Sequence, residues 1–191
     1  MQLGGKDKAR GKRRSRSHGM LRLLFRLSRK HLYFGIPTAM FLPDREDYTT
    51  TLPKVEYALR LMADYDPLRL ARIQRHVASI LIFTLPGDLA QWVDSLRMCV
   101  IDRHYARSAS PEEIATLLVH EATHARLARL GFAYSEPVRE RIERLCFLAE
   151  ISFARRLPDG QSLIAHRGVS AHPTSHRLDG YSYEGAWFRV A

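Results

Sequence analysis

Apolar residues recur along this chain at two spacings, and turn residues punctuate them. Residues 53–64 carry a helical repeat. Asp66-Pro67 then supplies an N-cap with proline at the first helical position, which predicts a second helix to about His76. "ASILIFTL", residues 78–85, is a β-rich run ended by Pro86-Gly87. "LRMCVID", residues 96–102, is a second strand candidate with Leu96, Met98 and Val100 on one face. The clearest element is "SASPEEIATLLVHEATHARLARLG": Ser110 as N-cap, Pro111 behind it, Glu113 completing a capping box and Gly131 as the terminating glycine. It predicts a helix over about 111–130. A short turn leads to "EPVRERIERLCFLAEISFARRLPDG", a second long helix over about 137–156, opened by Pro137 and closed by Pro158-Asp159-Gly160. Residues 161–191 show little periodicity. The pattern predicts an α+β fold, mostly helical, with a small sheet from strands near 78–85 and 96–102.

Charge divides the chain unevenly. Of 30 Lys/Arg and 20 Asp/Glu in 191 residues, the first thirty positions hold eleven basic residues and one acid, Asp7. The remainder balances, so the net charge of +10 belongs to an arm and not to a domain. Residues 1–19 are almost free of apolar residues and are expected to be disordered. "MLRLLFRLSRKH", residues 20–31, predicts a basic amphipathic helix that either lies on an anionic membrane surface through residues 1–31 or docks on its own domain. Nucleic acid is the weaker expectation for the arm, because charge alone is blind to sequence. The expected organisation is an arm (1–19), an amphipathic and apolar segment (20–43) and one domain (44–191). Cys99 and Cys146 lie in apolar surroundings and read as buried free thiols, not a disulfide framework. No stretch reaches the ~18 apolar residues of a spanning helix. The expected location is cytoplasmic, with peripheral membrane association open.

The strongest helix contains His120-Glu121-Ala122-Thr123-His124. Residues four apart share a helix face, and at 100° per residue His120, Glu121 and His124 fall in one arc with Ile114, Leu117 and Ala128. Arg126 and Arg129 point the other way. Burying two imidazoles and a carboxylate together is costly unless they are paired or coordinated. A metal satisfies all three: two neutral nitrogens as ligands and a carboxylate beside the open coordination position. The competing reading is a hydrogen-bonded histidine pair with Glu121 in an ion pair.

In His120, Glu121 and His124, flanked by uncharged Leu117, Leu118, Val119, Ala122, Thr123 and Ala125, the chain resembles the zincin-type zinc metallopeptidases. Arg126 stands where that extended pattern has an apolar residue. The resemblance covers about residues 110–156. It implies a zincin-like domain with the 111–130 segment as active-site helix, a zinc ion on His120 and His124, and Glu121 as general base. The subclass with a third histidine is excluded, since Leu127 and Leu130 stand at its glycine and histidine positions. The gluzincin version takes a glutamate from the following helix, where the candidates are Glu136, Glu140, Glu143 and Glu150. If the turn centres near 133–134, antiparallel residues are level when their numbers sum to about 267. His124 is then level with Glu143, which also matches the gluzincin spacing. Glu150 lies about 10.5 Å farther along the helix and suits a hydrogen bond to a ligand histidine instead, or an ion pair with an arginine. Cys146, one turn from Glu143, reads as core.

Two functions follow. The first is a zinc-dependent hydrolase, a metallopeptidase acting on a peptide or protein, with metal ligands His120, His124 and Glu143 and catalytic Glu121. Its oxyanion donor is to be sought among Tyr134, His166, His172, His176, Tyr181 and Tyr183, and the strand near 96–102 is a candidate edge for an extended peptide. The second is a non-catalytic helical scaffold, metal-stapled or metal-free, whose basic arm holds a membrane or nucleic acid.

Overall fold

The computed structural model describes residues 18–132 and 136–170. The fold is α+β: a five-stranded mixed sheet with helices on both faces. Helix α1 spans residues 18–27. Strands β1 (Lys30–Tyr33) and β2 (Ile36–Met40) form an antiparallel hairpin. Its two-residue turn, Phe34-Gly35, has φ of 49° and 77°. That is the left-handed pair a type I′ turn requires, and glycine supplies one half of it without strain. A π-helical turn, Asp47–Thr51, runs into α2 (Leu52–Tyr65), followed by α3 (Pro67–His76), which Asp66 caps as expected. Strands β3 (Ser79–Phe83), β4 (Ala90–Val93) and β5 (Met98–Asp102) lead to a short α4 (Arg103–Ser108). Helices α5 (Pro111–Arg129), α6 (Glu136–Ala154) and α7 (Gly160–Ser170) complete the fold.

The strand order is β1-β2-β3-β5-β4. The inner pairs β2–β3 and β3–β5 are parallel and the two outer pairs antiparallel. Alternation divides the sheet. Met40, Ile80, Ile82, Cys99 and Ile101 face the main core with α2, α3 and α5. Ala39, Leu81, Met98 and Val100 face the opposite layer, where Leu21, Leu24 and Phe25 of α1 pack. The first three turns of α5 are buried nearly all round, from Ile114 to Ala122, because α2, α3, α6 and the sheet enclose them.

Three expectations need correcting, and one is extended. Beyond the two strands expected, which form as β3 and β5, strands β1, β2 and β4 bring the sheet to five. Residues 20–43 are not a segment apart from a domain at 44–191, since they supply α1, β1 and β2 of the same sheet. The basic helix ends at residue 27 instead of 31, where Ser28 folds its hydroxyl back onto the Leu24 carbonyl (2.8 Å). Finally, 96–102 is not an edge: β5 is paired on both sides, and β4 occupies the edge beyond it. Residues 1–17 of the arm lie outside the described residues.

Candidate metal centre

The sequence around the centre folds as its local chemistry dictates. The Ser110–Glu113 capping box forms in both directions: Glu113 N–H donates to Ser110 Oγ (3.2 Å), and Ser110 N–H to the Glu113 carboxylate (2.7 Å). It fixes where α5 starts. At the other end, Gly131 N–H reaches the Ala128 carbonyl (3.0 Å) and Phe132 N–H the Leu127 carbonyl (3.1 Å), a Schellman closure around Gly131 at φ 85°. Helix α6 then returns along α5 as its main packing partner.

Between these helices four side chains converge. His120 Nε2 and His124 Nε2 are 3.0 Å apart. Glu143 sends Oε2 to within 3.3 Å of His120 Nε2 and Oε1 to within 3.6 Å of His124 Nε2. On its other side, His120 Nδ1 is in a short contact with the Glu150 carboxylate. His120 is 0% exposed, Glu121 2% and Glu150 2%. Glu140 is exposed and outside this group, and the Glu136 side chain lies outside the described residues. The oxyanion candidates Tyr134, His172, His176, Tyr181 and Tyr183 and the His166 side chain also lie outside them.

The electrostatics are those of an anionic cage. Burial alone drives the His120 imidazole toward its neutral form. The Glu150 charge, hydrogen bonds with Glu143 and Glu150, and the Glu121 charge outweigh it, holding its pKa up at about 10. Burial pushes the Glu143 carboxyl the other way, yet the hydrogen bonds and charges of His120 and His124 keep it well below the ordinary range. The three glutamates thus attract a cation, which a proton supplies in the absence of metal. Asp88, just before β4, is raised to about 6 by burial and then by the Glu121 charge. No periodicity marked Asp88 as a neighbour of Glu121; the Pro86-Gly87 turn that places it was legible only as punctuation.

The donor set fits zinc. In a tetrahedral site with Zn–N and Zn–O bonds of ordinary length, ligand atoms stand about 3.3 Å apart. The two nitrogens stand 3.0 Å apart, and each lies near a different Glu143 oxygen, at 3.3 and 3.6 Å, which is the same scale. Cys146 is a further donor. Ligand atoms of His120, His124 and Cys146 lie within 4.8 Å of one another. Its thiol is pushed up by burial and then by Glu143, Glu121 and Glu150, so it enters as thiolate only against a cation. Glu143 is a donor too, with its oxygens 3.3 and 3.6 Å from the two Nε2 atoms and its carboxyl held below the ordinary range. Cys99 and Cys146 are free and buried. No family model, curated protein or solved structure matches this chain.

Proposed function

We propose that the chain is a zinc-dependent hydrolase, a metallopeptidase, with zinc on His120, His124 and Glu143 and with Glu121 as general base. The observation that carries this reading is the convergence of both Nε2 atoms and the Glu143 carboxylate at 3.0–3.6 Å, one residue from a buried second carboxylate. A zinc ion there supplies Lewis acidity toward a substrate carbonyl and a water of lowered pKa. Glu150 holds the far nitrogen of His120, fixing the ring so that Nε2 points at the ligand position. Glu121 takes the proton of the attacking water and passes it to the leaving amine. Asp88, partly buried, lies within reach of the Glu121 field.

Strand β4 supports a peptide as substrate class. It is an edge strand, and α5 packs against it. Asp102 N–H donates to the Leu89 carbonyl (2.8 Å), which makes Gln91–Val100 and Val93–Met98 the hydrogen-bonded pairs. Ala90 and Trp92 therefore turn their N–H and C=O groups outward, as an added extended strand requires.

A second reading rests on Cys146. If its thiolate completes four protein ligands, the site is closed and the metal only staples α5 to α6. One comparison separates the two readings: zinc content and peptide-library hydrolysis for wild type and Glu121→Gln. The catalytic reading expects stoichiometric zinc in both and a rate loss of about 10²–10⁴-fold in the variant. Equal hydrolysis at matched zinc occupancy overturns it. Cobalt substitution with a thiolate-to-metal absorption band that disappears in Cys146→Ser supports the closed site.

A further inference from the structure

Helix α1 is only half used by the fold. Leu21, Leu24 and Phe25 seat it on Leu81, Val93, Met98 and Val100, and His18 Nδ1 pairs with Ser95 Oγ at 2.9 Å. The remaining face is apolar and open: Met20 is 48% exposed, Leu23 55% and Leu27 72%. At 100° per residue these three fall within about 60° of one another, a narrow stripe along the helix. Arg22 and Arg26, both exposed, lie along one flank of it, and Arg29 and Lys30 follow at its end.

The sheet extends this surface. Lys30 pairs with Ala39, and Ala39 belongs to the layer that α1 covers. Lys30 and Leu32 therefore point to the α1 side of β1. Leu32 is 71% exposed there. No Asp or Glu occurs between residues 18 and 43. Seven more Lys/Arg precede them in residues 1–17, against Asp7 alone.

We propose that the outward face of α1, with Leu32 beside it, attaches this protein to an anionic phospholipid surface. The leucines and Met20 enter the boundary between headgroups and acyl chains, while Arg22, Arg26 and Arg29 meet lipid phosphates. Duplex nucleic acid would use the same charges but leaves three aliphatic side chains in water with nothing to cover them. Helix α5 packs on the other side of the sheet, so attachment through α1 leaves the candidate metal centre facing away from the bilayer. No helix among the described residues is long and apolar enough to cross the membrane, which leaves surface attachment as the mode for α1. This inference is independent of the metal reading.

The test is co-sedimentation of the full chain with vesicles of phosphatidylcholine alone and of equimolar phosphatidylcholine and phosphatidylserine. Wild type should bind the anionic vesicles, and bind them less as salt rises. Leu23→Gln/Leu27→Gln, which keeps every charge, should weaken that binding about tenfold or more. Arg22→Gln/Arg26→Gln should weaken it and flatten the salt dependence. All four side chains are exposed, so circular dichroism and the unfolding midpoint should match wild type. Wild type that ignores both vesicle types overturns the proposal, as does a leucine pair variant that binds like wild type. Retardation of duplex DNA without vesicle binding transfers the surface to nucleic acid and overturns it too.

Discussion

Replacing Glu150 with glutamine leaves the shape of the candidate metal centre and removes the charge that holds His120. In the wild type without metal, the His120 pKa stands at about 10 against an ordinary 6.5. A histidine with a raised folded pKa contributes stability fully below 6.5, and that stability is lost as pH rises toward the folded value. Each pH unit in that window removes at most about 1.4 kcal/mol per proton. From pH 7 to 8.5 the chelated wild type should therefore lose up to about 2 kcal/mol. The window is chosen with the neighbours in mind. Asp88, at about 6, has titrated below it. Glu143 is held ionised throughout, and the two raised thiols are common to both proteins. Among the causes that raise His120, the Glu150 charge comes first. In Glu150→Gln, burial should regain the upper hand and the loss between pH 7 and 8.5 should shrink. Urea unfolding of both proteins in chelator measures it. The same variant should bind zinc about 10–100-fold more weakly, because a neutral amide at that position accepts the Nδ1 hydrogen bond without adding charge. Parallel stability curves, or a wild type that gains stability across this range, would refute the reasoning.

Other changes test the frame around the centre. Asp47 is 0% exposed and joins Arg103 (2.5 Å) to Arg107 (2.8 Å), tying the π-helical turn to α4. Asp47→Asn should cost about 1–3 kcal/mol in urea unfolding, since it leaves the more exposed Asp44 as the remaining charged partner of both arginines. Ser110→Ala breaks the capping box at the start of α5 and should cost about 1 kcal/mol by the same measurement. Gly131 sits at φ 85° with open space where a Cβ would go. Gly131→Ala should therefore cost about 1 kcal/mol from backbone strain alone, without a rearrangement visible by circular dichroism.

What the sequence determined by itself is local. Caps and periodicity placed α3, α5 and α6 to within a few residues, because Asp66, Ser110 and Glu113 bond to backbone within their own first turn. The i,i+4 spacing put His120 and His124 together for the same reason: a helix makes that contact by itself. Glu143 was within reach of sequence only because a short turn makes two antiparallel helices into a ruler. The rest needed pairing across distance. Strand β2 contains Pro37 and follows Gly35, composition that argues against an inner strand. It is tolerated because Pro37 lies before the stretch Thr38–Met40 that pairs with β3. Strand β4 has four residues and too short a pattern to identify, yet it takes the edge that β5 was expected to hold. Asp88 reaches the field of Glu121, 33 positions on in the chain, because the sheet order brings β4 under α5. Which strand is central, which face of α1 is spent on the core and which carboxylate holds which nitrogen are decided by burial summed over the whole chain. Hydrophobic contact carries no address in sequence, so only the packed structure assigns them.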